Sequence, residues 1–305
     1  MTDTAVRPPP VTAAAGERFA RTRRVAPRDL LVLPALVPLA AIFIGSLVQL
    51  GELGLRPFTR GRIGTGVTLD NVHRFASDPY TWSVMAETLR LAAVCAVIAV
   101  ALGYPMALAL HRTRRPALRA IGLFLIFSPL LTSVVVRAYG WSVILGDGGF
   151  INQTLRSLDL IDAPIRIMYQ FPAVVIAMVH VLLPFAIFPL LGVIAQVPRA
   201  AVEAAHDLGA SRLQSFWRVE FPLTLPGVVL TWQLCFALTA SAFATPALLG
   251  GGRVQVMSGL VYTNVGATDW PLAAVQSYAL LAVTLVILAV TNLATDLVLR
   301  RRRLR

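Results

Sequence analysis

Glu203-Ala204-Ala205-His206-Asp207-Leu208-Gly209, continued through Val219-Glu220-Phe221-Pro222, is a polar island of about 25 residues in a very apolar chain. Its local signals predict two short helices. Pro198 suits the start of the first, and Ala201, Ala204, Ala205 and Leu208 recur at i, i+3, i+4, i+7, one apolar stripe. Gly209 falls where a helix takes its left-handed C-terminal residue. Ser211 and Gln214 form the Ser-x-x-Gln capping box that opens a second helix. Pro222 and Pro226 are expected to end it. Read as an ordinary interfacial helix, the island would be supported by Arg199 and Glu203 as an i,i+4 pair, contributing about 0.2–0.5 kcal/mol.

The surroundings are those of a membrane protein. Of 305 residues, 57% are hydrophobic and only 14% charged. All 27 basic residues are Arg, and the formal net charge is +12. Such a charge could serve nucleic acid, but the Arg residues cluster beside apolar runs, so no nucleic-acid role is expected. Six apolar runs predict spans at about 30–50, 88–110, 118–136, 172–195, 225–249 and 272–299. Ser128-Pro129 interrupts the third run, and the fourth carries Pro184 and Pro189. Residues 1–28 read as a disordered tail held near anionic lipid, and 29–305 as one transmembrane domain with a loop at 196–222. The segments that this topology places inside hold 18 Arg against 9 in the outer loops and span edges. That bias predicts cytoplasmic N- and C-termini and puts the 196–222 island in the cytoplasm.

Chemistry-bearing constellations are few. Cys95 and Cys235 sit inside apolar runs and read as small packing residues. His180 reads as a hydrogen-bonded helix contact, and Trp141 as a residue of the interfacial aromatic belt. No nucleophile–base pair, paired carboxylate or metal-ligand spacing is evident, so neither catalysis nor a bound metal is expected. The chain also lacks G-x-x-x-x-G-K-[ST], so it cannot hydrolyse ATP by that route. Polar and aromatic groups within apolar spans are the candidates for a solute path. Trp232, Gln233 and Thr239 of the fifth span, with Ser133 and Tyr139 of the third, make up that set. Interhelical hydrogen bonding is the competing role for each.

With its spacing complete, the island resembles the EAA loop of binding-protein-dependent ABC importer permeases: Glu-Ala-Ala, three residues, Gly, nine residues, Ile-x-Leu-Pro. Val219 and Phe221 stand in for the Ile and the Leu. Other stretches resemble the spermidine/putrescine branch, among them Arg137-Ala138-Tyr139-Gly140-Trp141, Leu183-Pro184-Phe185 and Phe243-Ala244-Thr245-Pro246. The resemblance covers about residues 66–299. It implies an all-α protein with the type I ABC importer permease fold, six transmembrane helices and a cytoplasmic coupling helix. It implies location in the bacterial inner membrane. The implied partners are two copies of an ATP-binding subunit, a second permease subunit (related or identical) and an extracytoplasmic binding protein. ATP and Mg belong to the ATPase, and no cofactor is expected on this chain. Glu203, Ala204, Ala205, Asp207, Leu208, Gly209 and Pro222 are the implied ATPase-coupling residues. Polyamine is the leading substrate, with iron(III), thiamine, phosphonate and opine as alternatives. A secondary transporter is a further alternative, although it would often show internal repeats, and none is visible.

Overall fold

The computed structural model describes residues 33–303 apart from Arg60. The expected tail at 1–28 lies outside them, as does the start of the first span. Two compact units divide at Leu50 and Gly51. The described part of the first unit is the body of an apolar helix, α1 (Leu33–Gly54), with Pro38 inside it.

In the second unit a small hairpin, β1 (Phe58–Thr59) and β2 (Arg62–Ile63), pairs Phe58 with Ile63. Then come α2 (Asp70–Ser77), α3 (Pro79–Arg112), α4 (Pro116–Phe127) and a 3-10 turn at Ser128–Leu131. They are followed by α5 (Val134–Leu145), α6 (Phe150–Ser157), α7 (Phe171–Ala195) and α8 (Arg199–Asp207). The chain continues through α9 (Arg212–Ser215), a π-turn (Phe216–Glu220) and α10 (Phe221–Ala240) to α11 (Ala244–Leu249), α12 (Met257–Gly266) and α13 (Trp270–Arg303).

Among the described residues six helical stretches are long and apolar enough to cross a membrane: Leu36–Gly54, Pro79–Arg112, Val134–Ser157, Phe171–Ala195, Arg212–Ala240 and Trp270–Leu297. Three of them differ from the sequence expectation. The second begins at Pro79 rather than Thr88, because Asp78 caps a polar first turn and Pro79 occupies its start. The Asp78 carboxylate accepts from the backbone N–H of Tyr80 and Thr81 and from the Thr81 hydroxyl at 2.5 Å. The Thr81 hydroxyl is the main reason that this carboxyl titrates below its ordinary range. The cap therefore contributes in full above the ordinary carboxylate pKa, and its contribution is lost as pH falls through the lowered one.

The third expected span, 118–136, is not one helix. The chain leaves helical geometry at Thr132 and Ser133, which are extended (ψ 144° and 143°), so Ser128-Pro129 and the residues after it separate α4 from α5. The third long apolar stretch starts only at Val134, and Gly146 and Gly149, both extended, divide α5 from α6. The fifth span, expected at 225–249, begins instead at Arg212 and stops at Ala240. Ser241–Phe243 break it before α11. The fourth and sixth lie within two residues of expectation at their first ends. The loop expected at 250–269 contains a helix, α12, that periodicity did not mark.

The core follows from small side chains. Along α3, Leu91, Ala92, Cys95, Ala96 and Ala99 are fully buried against Val174, Ala177, Met178 and Leu182 of α7 and Cys235 and Phe236 of α10. Small residues let helix backbones approach closely where lipid supplies no hydrophobic drive. Both cysteines are packing residues here, buried and unpaired.

At the end of the bundle that holds the start of α3, polar ties join distant segments. Asn71 donates to the carbonyls of Gly54 and Arg56, and Arg74 bonds Asp269 at 2.8 Å. The Thr88 hydroxyl accepts from the buried backbone N–H of Met257.

Candidate functional site

At the opposite end of the bundle, residues 196–224 form a helical projection. Pro198 is extended (ψ 121°) and α8 begins at the next residue. Gly209 takes φ +84°, which a residue with a Cβ rarely adopts. The helix ends in the expected Schellman pattern: Ala210 N–H donates to the Ala205 carbonyl, and Gly209 N–H to that of His206. Gln214 N–H bonds the Ser211 hydroxyl at 3.3 Å, and Gln214 Oε1 accepts from Ser211 N–H at 3.0 Å, so the capping box is present.

The second helix does not end at Pro222 or Pro226. A π-turn carries it on: Phe221 N–H bonds the Phe216 carbonyl five residues back, and the backbone stays right-handed helical into α10. Pro222 lies in the first turn of α10, where a missing N–H costs little. The island is therefore one short helix followed by the projecting start of the fifth span.

The surface of the projection is unusual for a chain terminus of a bundle. Glu203, Ala204, Asp207 and Gly209 are exposed, Leu208 is 89% exposed and Leu213 67%. Ala201, Val202 and Ala205 turn inward. Among the described residues no ion pair joins Arg199 to Glu203, so the interfacial-helix pair is not formed. An exposed apolar tip flanked by an unpaired carboxylate is a docking chemistry.

Behind the projection lies a cleft of about 370 Å³, walled by Tyr104, Arg112, Arg199, Glu203, Glu220 and Thr224. The Tyr104 and Thr224 hydroxyls are 2.8 Å apart. Arg112 donates to both oxygens of Glu220, at 2.9 and 2.8 Å. Sequence reading passed over these four residues. Glu220 stood at an unspecified position of the motif, and only its partnership with Arg112 across 108 positions marks the pair.

The five candidate path residues do not converge on one cavity. Ser133 and Tyr139 lie exposed on and beside α5. The Thr239 hydroxyl bonds the Cys235 carbonyl of its own helix. Gln233 donates to the Leu288 carbonyl and the Thr291 hydroxyl of α13, an interhelical tie. Trp232 stacks on Phe236 and lines an apolar groove of about 770 Å³ with Tyr104, Leu108, Phe216, Trp217 and Thr295. Trp141 is half-buried, and its Nε1–H donates to His180 Nδ1 at 3.3 Å. Polar residues were legible from the sequence, but their facing was not.

The break between α4 and α5 is held by a residue not singled out for this role. Arg137 donates to the carbonyls of Pro129 and Thr132, two groups freed by the interruption. It also lines a cavity of about 220 Å³ with Leu182, Phe185, Leu238, Phe243 and Thr245, where the second break, at Ser241–Phe243, comes close. Arg137→Ala is expected to cost about 1–3 kcal/mol, because the Thr132 carbonyl loses its donor and that of Pro129 keeps only the Thr132 hydroxyl. Chemical unfolding in detergent measures it, and Arg137→Lys, whose single nitrogen can donate to both carbonyls as Nη2 does, should recover part.

Comparison with known proteins places this architecture. The chain superposes on a bacterial alginate ABC transporter, in complex with an alginate pentasaccharide-bound periplasmic protein, with a TM-score of 0.71 over 87% of this chain and 94% of that one. Identity there is 18%, so the likeness is of fold alone. The chain belongs to the family of binding-protein-dependent transport system inner membrane components, which matches residues 99–304. It is thus a multi-pass inner-membrane transport subunit. It is 33% identical over 240 residues to the spermidine/putrescine transport system permease protein PotB of Escherichia coli K12, covering 78% of this chain and 86% of that one. It is 31% identical to PotB of Haemophilus influenzae over 236 residues, 77% and 82% of the two chains.

Proposed function

We propose that this chain is the permease subunit of an ATP-driven polyamine importer. The observation that carries the substrate class is its 33% identity, over most of its length, to a spermidine/putrescine permease. In this reading a binding protein outside the membrane delivers spermidine or putrescine, and two permease subunits enclose the path. Two copies of a separate ATPase hold ATP and Mg and drive the change of access. The projection at 196–222 is the cytoplasmic coupling element. Its support is the exposed Leu208 tip, the carboxylate of Glu203 with no ion pair among the described residues, and the turn at Gly209 that presents both. The Arg distribution supports both termini in the cytoplasm.

Carboxylates are scarce along the spans. Glu87, near the start of α3, is engaged by Arg90 at 3.4 Å, and Arg137 puts a cationic group beside the two helix breaks. A polycation gains little from such a path, so selectivity is assigned to the binding protein. The test is a thermal-shift scan of the cognate binding protein over polyamines, thiamine, iron(III), phosphonates and opines. A ligand at 100 times its Kd stabilises by about 2.7 kcal/mol. A shift with spermidine or putrescine is the expected result. A shift only with another compound would discard polyamine and keep the importer subunit.

A further inference from the structure

We propose that Arg112 and Glu220 are a positioning pair that transmits motion of the 196–222 projection to the bundle through α3. The inference rests on the ATPase-coupling reading above and names the residues that carry its force. α8 itself packs on α9 and the π-turn and is joined to α7 by a short link. Movement of α8 therefore passes into residues 212–220. There the chain meets the last turns of α3 in three ways. Phe216 and Phe221 place ring edges on Tyr104, both with centroids at 5.8 Å. Tyr104 and Thr224 share a hydrogen bond. Arg112, the last residue of α3, grips both oxygens of Glu220.

α3 is the right receiver, because it packs along both α7 and α10 and shares the buried core with them. The pair differs from an ordinary surface bridge, whose worth is small because both groups keep their water. The Glu220 side chain is only 14% exposed. Its partner is fixed at a helix C-terminus, where a cation is favoured. The π-turn, of which Glu220 is the last residue, departs from the regular i→i+4 ladder. A displaced α8 could be absorbed by that turn were Glu220 not tied to α3. With the tie, the turn and the inner end of α3 move together.

The test uses the full importer, this chain with its ATPase subunit and binding protein, in proteoliposomes. Wild type, Arg112→Glu, Glu220→Arg and the double exchange are compared for labelled spermidine taken up per ATP hydrolysed. Each single exchange is expected to lower that ratio about fivefold or more, within the usual range of coupling effects. ATPase subunit should co-purify in normal amount, and the double exchange should recover most of the ratio. Glu220→Gln, which keeps the volume, should fall in the same direction by less. Singles that couple like wild type, or an exchange no better than the singles, would overturn the proposal. If wild type takes up no spermidine, the substrate reading fails, and binding-protein-stimulated ATP hydrolysis then decides the pair by the same comparison. A wild-type permease that recruits no ATPase removes the coupling reading and the pair's role with it.

Discussion

Glu203→Lys is expected to abolish ATP-driven uptake while leaving the amount of permease in the membrane unchanged. Glu203 is exposed and makes no ion pair among the described residues, so its replacement breaks no salt bridge among them. Surface substitutions of that kind usually change stability by within about 0.5 kcal/mol. The consequence falls on docking. A carboxylate buried against a cationic partner and then lost typically weakens an interface by about 2–5 kcal/mol, and a reversed charge does more harm than a neutral one. Gly209→Val should act beside it by a different route. At φ +84° a β-branched residue is strained, so the turn that presents Leu208 and Glu203 would reorganise. Co-purification of the ATPase with each variant measures the effect. A Glu203→Lys permease that retains its ATPase and transports normally would remove this residue from the coupling surface.

Gly227 is where a larger residue should do most damage to the fold. It lies buried in α10, facing Val193 of α7. A Cβ there would overlap Val193 Cγ2 and sit 2.9 Å from the valine Cβ, so rotating the valine cannot clear it. Two effects compete in Gly227→Ala. Helix propensity favours alanine by about 0.8–1.0 kcal/mol. Overpacking typically costs about 1–3 kcal/mol, and the valine Cβ is fixed to the backbone, so the steric cost wins. Gly227→Leu should be worse, and the permease should fail to accumulate. Val193→Ala in the Gly227→Ala background should restore much of the loss. An unfolding midpoint for Gly227→Ala at or above the wild-type value would show that α7 and α10 do not approach as closely as this.

Much of the site was legible because its signals are local. Gly209 needs only its own φ, and Ser211 with Gln214 needs three residues, so α8 and the start of α9 could be placed from the sequence. Spans four and six were legible because their apolar runs are uninterrupted by polar turns. The failures have a common physical origin, in that prolines and polar residues were read without their tertiary partners. Pro222 signals an end, yet a π-turn closed by Phe221 N–H precedes it and the helix continues. Ser128-Pro129 looks like a flaw within one span, but Arg137 stabilises the freed carbonyls and lets the chain part there. Residues 79–87 look too polar for a span, yet the Asp78 cap makes them its first turns. Gln233 illustrates the limit for the path: its polarity is visible, whereas its bonds to α13 come only with the fold.

The central claim is that this chain is moved by a separate ATPase acting through residues 196–222. Uptake of labelled spermidine into proteoliposomes tests it most directly, measured with the permeases alone, with ATPase added, and with ATPase and loaded binding protein together. The account predicts uptake only in the complete system and only with hydrolysable ATP, and its loss with Glu203→Lys. Uptake by the permease alone, driven by an ion gradient and indifferent to ATP, would contradict it.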